Sequence, residues 1–122
     1  METVTLTKIV MPGQANARGT LFGGVALAMM DEAAAIVALR HARKPVVTAH
    51  IASVDFKAPI LQGDAVEVTA RLVSVGRTSM RILLETYGEN LFTGERRFCT
   101  SAEFVFVAMG EDGKPTPVPP IT

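Results

Sequence analysis

The stretch Gly23-Gly24-Val25-Ala26-Leu27-Ala28-Met29-Met30-Asp31-Glu32-Ala33-Ala34-Ala35-Ile36-Val37-Ala38-Leu39-Arg40-His41 decides the fold. Alanine, leucine and methionine dominate it, all strong helix formers. It therefore predicts one long helix, which Pro45 forbids from continuing. A helix at a protein surface carries one apolar stripe. Here the only charged residues between Gly19 and Leu39 are Asp31 and Glu32. A helix apolar on every side has to be covered on every side. A membrane would do this, but a span needs ~20 apolar residues, and two adjacent carboxylates at its centre would cost ~2.5–3.5 kcal/mol each. A single sheet can cup such a helix but hardly close around it. The remaining cover is a second copy of the chain, which predicts a homodimer.

Outward from the helix the signals are those of strands. Val4 to Val10 is β-rich, and Met11 to Phe22 reads as a loop because it holds Pro12, Gly13, Asn16 and Gly19. After the helix come four β-type segments, Val46–Phe56, Ala65–Val75, Thr78–Tyr87 and about Glu95–Ala108. Lys57-Ala58-Pro59, Gly63-Asp64, Gly76 and Gly88 to Gly94 separate them. Met80, Ile82 and Leu84 alternate with polar residues such as Arg81 and Glu85, as on a sheet with one wetter face. The order β-α-β-β-β-β, with short links that favour antiparallel neighbours, defines an α+β domain: one long central helix against a five- to six-stranded antiparallel sheet. Residues 1–110 form this domain. Residues 111–122 hold four of the seven prolines and read as an extended tail, either loose or packed on a neighbouring subunit.

A chain of 122 residues has room for one domain and one real core. Hydrophobic residues are 48% and charged residues 20%, which is globular composition. Twelve Lys and Arg balance twelve Asp and Glu, so no overall charge draws the surface to nucleic acid or anionic lipid. One cysteine excludes an intrachain disulfide and a cysteine-based zinc cluster. Two histidines are too few for a histidine-rich metal site, so no metal is expected. Met1-Glu2-Thr3 does not begin a signal peptide, and a cytoplasmic location is the expectation.

Within the helix Asp31 needs a reason. Burying a carboxylate without partners is costly, and its neighbours one turn away are Leu27, Ala28, Ala34 and Ala35. It is either a solvated or salt-bridged acid or a functional group beside small residues; Glu32, turned about 100° away, suits the first description. Gly23 and Gly24 stand where the chain enters the helix. They are either an ordinary cap or a place where a ligand approaches the free amides of the first turn, able to hold an oxyanion. Asn16 is either a turn residue or an amide aimed at the same point. Asp31 lies about two turns further in, some 10 Å by helical rise, so the two could meet across a subunit interface.

The sequence resembles the single-domain hotdog-fold acyl-CoA thioesterases, closest to the YciA type and to the cytosolic acyl-CoA hydrolases with tandem domains. The matching stretches are Asn16-Ala17-Arg18-Gly19-Thr20-Leu21-Phe22-Gly23-Gly24, Met30-Asp31-Glu32-Ala33-Ala34-Ala35, Val54-Asp55-Phe56-Lys57-Ala58-Pro59-Ile60 with Gly63-Asp64, Val75-Gly76-Arg77-Thr78-Ser79-Met80 and Ala102-Glu103-Phe104-Val105-Phe106-Val107-Ala108. Each is weak alone; their order and spacing are specific. The resemblance implies hydrolysis of fatty acyl-CoA to free acid and CoA without a cofactor. It implies Asp31 as general base or nucleophile, Asn16 polarising the carbonyl or placing water, and the amides at Gly23 and Gly24 as oxyanion pocket, with the two roles drawn from different subunits. It places Gly76, Arg77, Thr78 and Ser79 along the CoA path and Lys57 near a CoA phosphate, and it implies hexamers of three dimers. Arg18 stands where the family often has a second Asn, and Val25 where it often has a Trp, which bears on substrate preference.

Other chemistry is poorly served. Cys99 reads as a packed thiol, His50 as a core or interface residue, and His41 as a cation at the helix end. The rival functions on the same fold are an acyl-CoA hydratase or dehydratase, which generally wants a His with an acid, and a non-catalytic acyl-CoA binder.

Overall fold

The all-apolar stretch forms the helix α1, Gly23–Ala42, one residue longer than expected. Arg43 closes it in the left-handed conformation (φ 55°), with its N–H on the Leu39 carbonyl, and Pro45 bars a further turn. The computed structural model describes residues 3–121. Met1 and Glu2, at the start of the assigned domain, and Thr122, at the end of the tail, lie outside the described residues. Five strands accompany the helix: β1 Thr3–Ile9, β2 Val46–Phe56, β3 Ala65–Val75, β4 Ser79–Glu89 and β5 Arg96–Ala108. β2 and β3 have the expected ends; those of β1, β4 and β5 differ by at most two residues. They form one antiparallel sheet in the order β1-β3-β4-β5-β2. The links β3–β4 and β4–β5 join neighbours as short connections should, but β2 and β3 are not paired. The Lys57–Asp64 link instead carries the chain from one side of the sheet to the other. The α+β architecture, with five strands, is the hotdog arrangement.

The helix lies across one sheet face. Ala26, Met29, Met30, Ala33, Ala34, Val37, Ala38 and Ala42 point into that contact and are buried. The alanines let the helix axis come close to the strands, where Met80, Ile82 and Leu84 of β4 and Phe104 and Phe106 of β5 meet it, all buried. Each large side chain removed from water here contributes about 1.5–3 kcal/mol. The rest of α1 is apolar too but is not covered within the chain: Leu39 is 44% exposed, and Leu27, Ala35 and Ile36 are half-buried. The sheet edge beside it, β2, shows Val47, Ile51 and Phe56 to solvent. His50 is exposed on this strand, so it is not a core residue. Among the described residues no helix is long and apolar enough to cross a membrane.

The tail does not hang loose. It folds back on its own chain. Thr116 N–H donates to the Ala108 carbonyl at 2.9 Å and Val118 N–H to the Arg77 carbonyl at 2.9 Å. Lys44 Nζ donates to the Pro117 carbonyl and His41 Nε2–H to the Pro119 carbonyl. Val118 and Ile121 pack against the core. Prolines remove donors but leave carbonyls, and those carbonyls supply half of the contacts.

Candidate active site

Asp31 sits at mid-helix on the side facing β2, half-buried. Thr48 of β2 donates its hydroxyl to Asp31 Oδ1 at 2.6 Å. The pairing of β2 with β5 slips just after Thr48 and again after Ala52, and Ser53 takes φ 55°. Such irregularities re-aim side chains along an edge strand. No cation among the described residues pairs with Asp31, so it is not a salt-bridged acid. Thr48 is a residue that sequence reasoning missed. Only its strand was legible, and whether an edge-strand hydroxyl reaches the helix depends on where the bulge falls.

Asn16 occupies the loop before the helix, half-buried. Its Oδ1 accepts from Arg18 N–H (2.9 Å), Thr20 N–H (3.2 Å) and the Thr20 hydroxyl (3.1 Å). It is thus a turn residue in its oxygen. Three donors around one atom fix the amide's orientation, and its NH2 group has no hydrogen-bond partner among the described residues. Gly19 (φ 75°) lets the loop close, and Leu21 N–H donates to the Ile60 carbonyl to anchor it.

At the helix start no side chain caps the first amides. A Cβ on Gly24 would meet nothing within 4 Å, whereas one on Gly23 would touch the Phe56 ring at 3.4 Å. The Gly24 backbone is therefore open to a ligand, and Gly23 lets the aromatic ring lie against the helix entry. Behind this point is a cavity of about 350 Å³ lined by residues that include Leu21, Gly23, Phe56, Lys57, Ile60 and Thr100. It is largely apolar, as acyl-binding clefts are.

The CoA candidates fall into two groups. Lys57 lines this cavity, and its Nζ stands 5.7 Å from the centre of the Phe98 ring. Gly76, Arg77, Thr78 and Ser79 make the β3–β4 turn, closed by the Gly76 N–H on the Ser79 carbonyl; a Cβ on Gly76 would clash with Ser79 Oγ at 2.7 Å. Ser79 pairs with Val107 and Val46 with Ala108, so this turn lies at the helix C-terminal end of the sheet. Phe56, paired with Thr100, lies at the other. Within one protomer Lys57 and Arg77 are not brought together. Asp31 and the helix start are likewise two turns apart on one helix.

Cys99 is fully buried, and burial pushes its thiol up from the ordinary range. Its sulfur lies near the carbonyls of Pro59 and Arg97, the arrangement of a packed thiol. Among the described residues no three His, Cys, Asp or Glu side chains stand together as metal ligands.

The family model described as the thioesterase superfamily matches residues 18–91. The acyl-CoA thioester hydrolase YciA of Salmonella typhimurium is 37% identical over 119 residues, covering 95% of this chain and 90% of that protein. A hexameric acyl-CoA thioesterase in its apo form superimposes with a TM-score of 0.95 at 44% identity, over 98% of this chain and 77% of that one. An acyl-CoA hydrolase from Staphylococcus aureus, solved with butyryl-CoA, CoA and CoA disulfide, does so with a TM-score of 0.92 at 34% identity, over 98% and 73%. That hydrolase has also been solved with alanine in place of one aspartate, one asparagine or one threonine. The chain belongs to the thioesterase superfamily. Within it, the chain is one of the acyl-CoA thioester hydrolases of the YciA type.

Proposed function

We propose that the chain cleaves acyl-CoA to free acid and CoA with Asp31 as its reacting carboxylate, facing the helix start and Asn16 of a second copy. One observation carries the reading: Asp31 is held through one oxygen by the neutral Thr48 hydroxyl, on the uncovered edge of the sheet, with no cation among the described residues to neutralise it. An acid held that way keeps a free lone pair for a proton or a carbon. The aspartate, asparagine and threonine replaced in the Staphylococcus aureus enzyme stand at the same intervals as Asp31, Asn16 and Thr48 do here, which supports the assignment.

As general base, Asp31 takes a proton from water, whose oxygen attacks the thioester carbonyl carbon. The carbonyl oxygen becomes an oxyanion facing the Gly23 and Gly24 amides and the Asn16 NH2 group. Collapse breaks the C–S bond, and the thiolate recovers the proton from Asp31. As nucleophile, Asp31 would instead attack the carbonyl carbon and expel the CoA thiolate, leaving an anhydride; water then opens it to the free acid and Asp31, and the thiolate takes up the proton released. Either route needs no metal, because the thioester is already activated. Lys57 and Arg77, at opposite ends of one protomer, both reach CoA when neighbouring copies supply one of them. A dimer built on β2, and hexamers of such dimers like the hexameric relative, provide that.

The test is Asp31→Asn, assayed by thiol release from a panel of acyl-CoA esters. The kcat should fall at least about 10²-fold while light scattering shows the assembly unchanged. Near-normal turnover by the pure variant would refute the assignment, and CoA binding without thiol release by the wild-type chain would favour a binder.

A further inference from the structure

Asp64 is the only charged residue among the described ones that is buried, at 5% exposed, and the chemistry above makes no use of it. Taking a carboxylate out of water is costly unless it is paired and hydrogen-bonded. Asp64 is both. Its Oδ2 accepts from Arg97 Nη2 of β5 at 3.0 Å and from the Leu61 N–H at 3.1 Å. The same Arg97 nitrogen reaches the Pro59 carbonyl at 3.3 Å, and Arg97 Nη1 donates to Glu95 at 3.0 Å. The guanidinium thus grips the Lys57–Asp64 link at Pro59 and at Asp64 and ties it to β5. A buried ion pair adds little stability, because desolvation offsets the attraction. What directed bonds from one planar fork do supply is a fixed position.

That position is passed on to Asn16. Its loop closes on itself: Ala15 and Leu21 form a bridge, Asn16 N–H donates to the Thr20 carbonyl, and Asn16 Oδ1 is held by three donors. Where the closed loop sits is set by its bonds to the link. Leu21 N–H donates to the Ile60 carbonyl at 2.8 Å, Gln62 N–H donates to the Gly19 carbonyl at 2.8 Å, and Thr20 bridges Leu61. Leu61 stands between those two bonds, and its N–H is the one that Asp64 holds. Lys57 is anchored separately. Its N–H and that of Ala58 both donate to the Cys99 carbonyl, at 2.7 and 3.3 Å.

We propose that Asp64 and Arg97 are positioning residues: their ion pair sets the Asn16 loop, and with it the Asn16 amide, against the helix start, while Lys57 keeps its own anchor. The proposal rests on the role given to Asn16 in the thioesterase reading. Loosening a group that acts on the reacting carbonyl costs rate rather than affinity.

The test is Asp64→Asn, which keeps the shape and removes the charge; Arg97 retains Glu95 as a partner. The kcat should fall about three- to tenfold, a hydrogen bond's worth, with KM for acyl-CoA nearly unchanged. In the Asn16→Ala background the same substitution should change the residual kcat by less than about twofold, because the amide it positions is gone. Any fall in melting temperature should be equal in the two backgrounds. Arg97→Gln breaks the pair from its partly exposed side, where the side chain is 28% exposed. It should give the same pattern in kcat, and it decides the matter if Asp64→Asn does not fold. An unchanged kcat, or a loss that multiplies with that of Asn16→Ala, overturns the proposal. If the wild-type chain releases thiol from no ester, the thioesterase reading falls, and hydrogen exchange decides the positioning: peptides covering residues 15–22 should take up deuterium faster in Asp64→Asn while those of β4 do not change. Equal uptake across residues 15–22 overturns it.

Discussion

Thr48 touches Asp31 and nothing else that the chemistry requires, which makes it a positioning residue. A carboxylate on a helix flank can turn about its Cα–Cβ bond. A 2.6 Å bond from a strand stops it, and such a bond to a charged oxygen is among the stronger hydrogen bonds. Losing the orientation of a reacting group costs rate rather than affinity. Thr48→Val should therefore lower kcat about tenfold with KM nearly unchanged, and Thr48→Ser should recover most of it. Steady-state assays on the two variants check this; a loss in Thr48→Ser with none in Thr48→Val would mean that the methyl group, not the hydroxyl, matters. At this scale the sequence was informative only where chemistry is odd for its setting. Asp31 stood out because it is an acid in an apolar helix. Thr48 is one threonine in a strand full of β-branched residues, and nothing local distinguishes it. Asn16 was legible as a polar residue in a glycine-bearing loop, but which end of its amide would be free depends on the Arg18 and Thr20 backbone closing on the oxygen.

At the scale of elements, the helix and strands follow from composition and punctuation, because each is decided by its own residues. Neighbour relations are not. The separation of β2 from β3 is a tertiary choice: β2 takes the edge beside β5, and β3 lies between β1 and β4. The tail shows the same limit. Pro115 to Pro120 carries no periodicity, so its own residues cannot announce that their carbonyls will meet Lys44 and His41. The docked tail has a consequence for the β3–β4 turn. Val118 N–H holds the Arg77 carbonyl, and Ala108 N–H, next to the tail's first anchor, holds that of Thr78. Removing residues 115–122 frees one side of the turn that carries Arg77. If that turn meets CoA, the loss is one of uniform binding. KM for acyl-CoA should rise about three- to tenfold, the equivalent of a hydrogen bond or so, with kcat nearly kept. The truncated chain should also melt lower, because Val118 and Ile121 leave the core. A fall in kcat at constant KM would detach the tail from CoA binding.

At the scale of the whole molecule, one chain leaves an apolar face uncovered. Leu39, Val47, Ile51 and Phe56 are 42–54% exposed along one continuous side, the helix flank and the β2 edge. Asp31 lies on that side, and the helix-start amides lie at its far end. In the proposed dimer, a twofold axis beside β2 would run the two helices in opposite directions and bring each Asp31 toward the other copy's helix start; a self-complementary patch of this kind is how paired subunits associate. The arrangement makes a sharp demand on mixed assemblies. Asn16→Ala and Asp31→Asn chains should each be nearly inactive alone. When they are co-expressed under two tags and the mixed dimers isolated, one of the two sites combines an intact Asn16 from one chain with an intact Asp31 from the other. That site should work at its normal rate, giving mixed dimers about half the wild-type kcat and a random mixture about a quarter of it. If both groups came from the same chain, every site in the mixed dimer would carry one defect and no activity would return. Thiol release by the purified mixed species therefore reads the subunit origin of the site directly, without a structure of the complex.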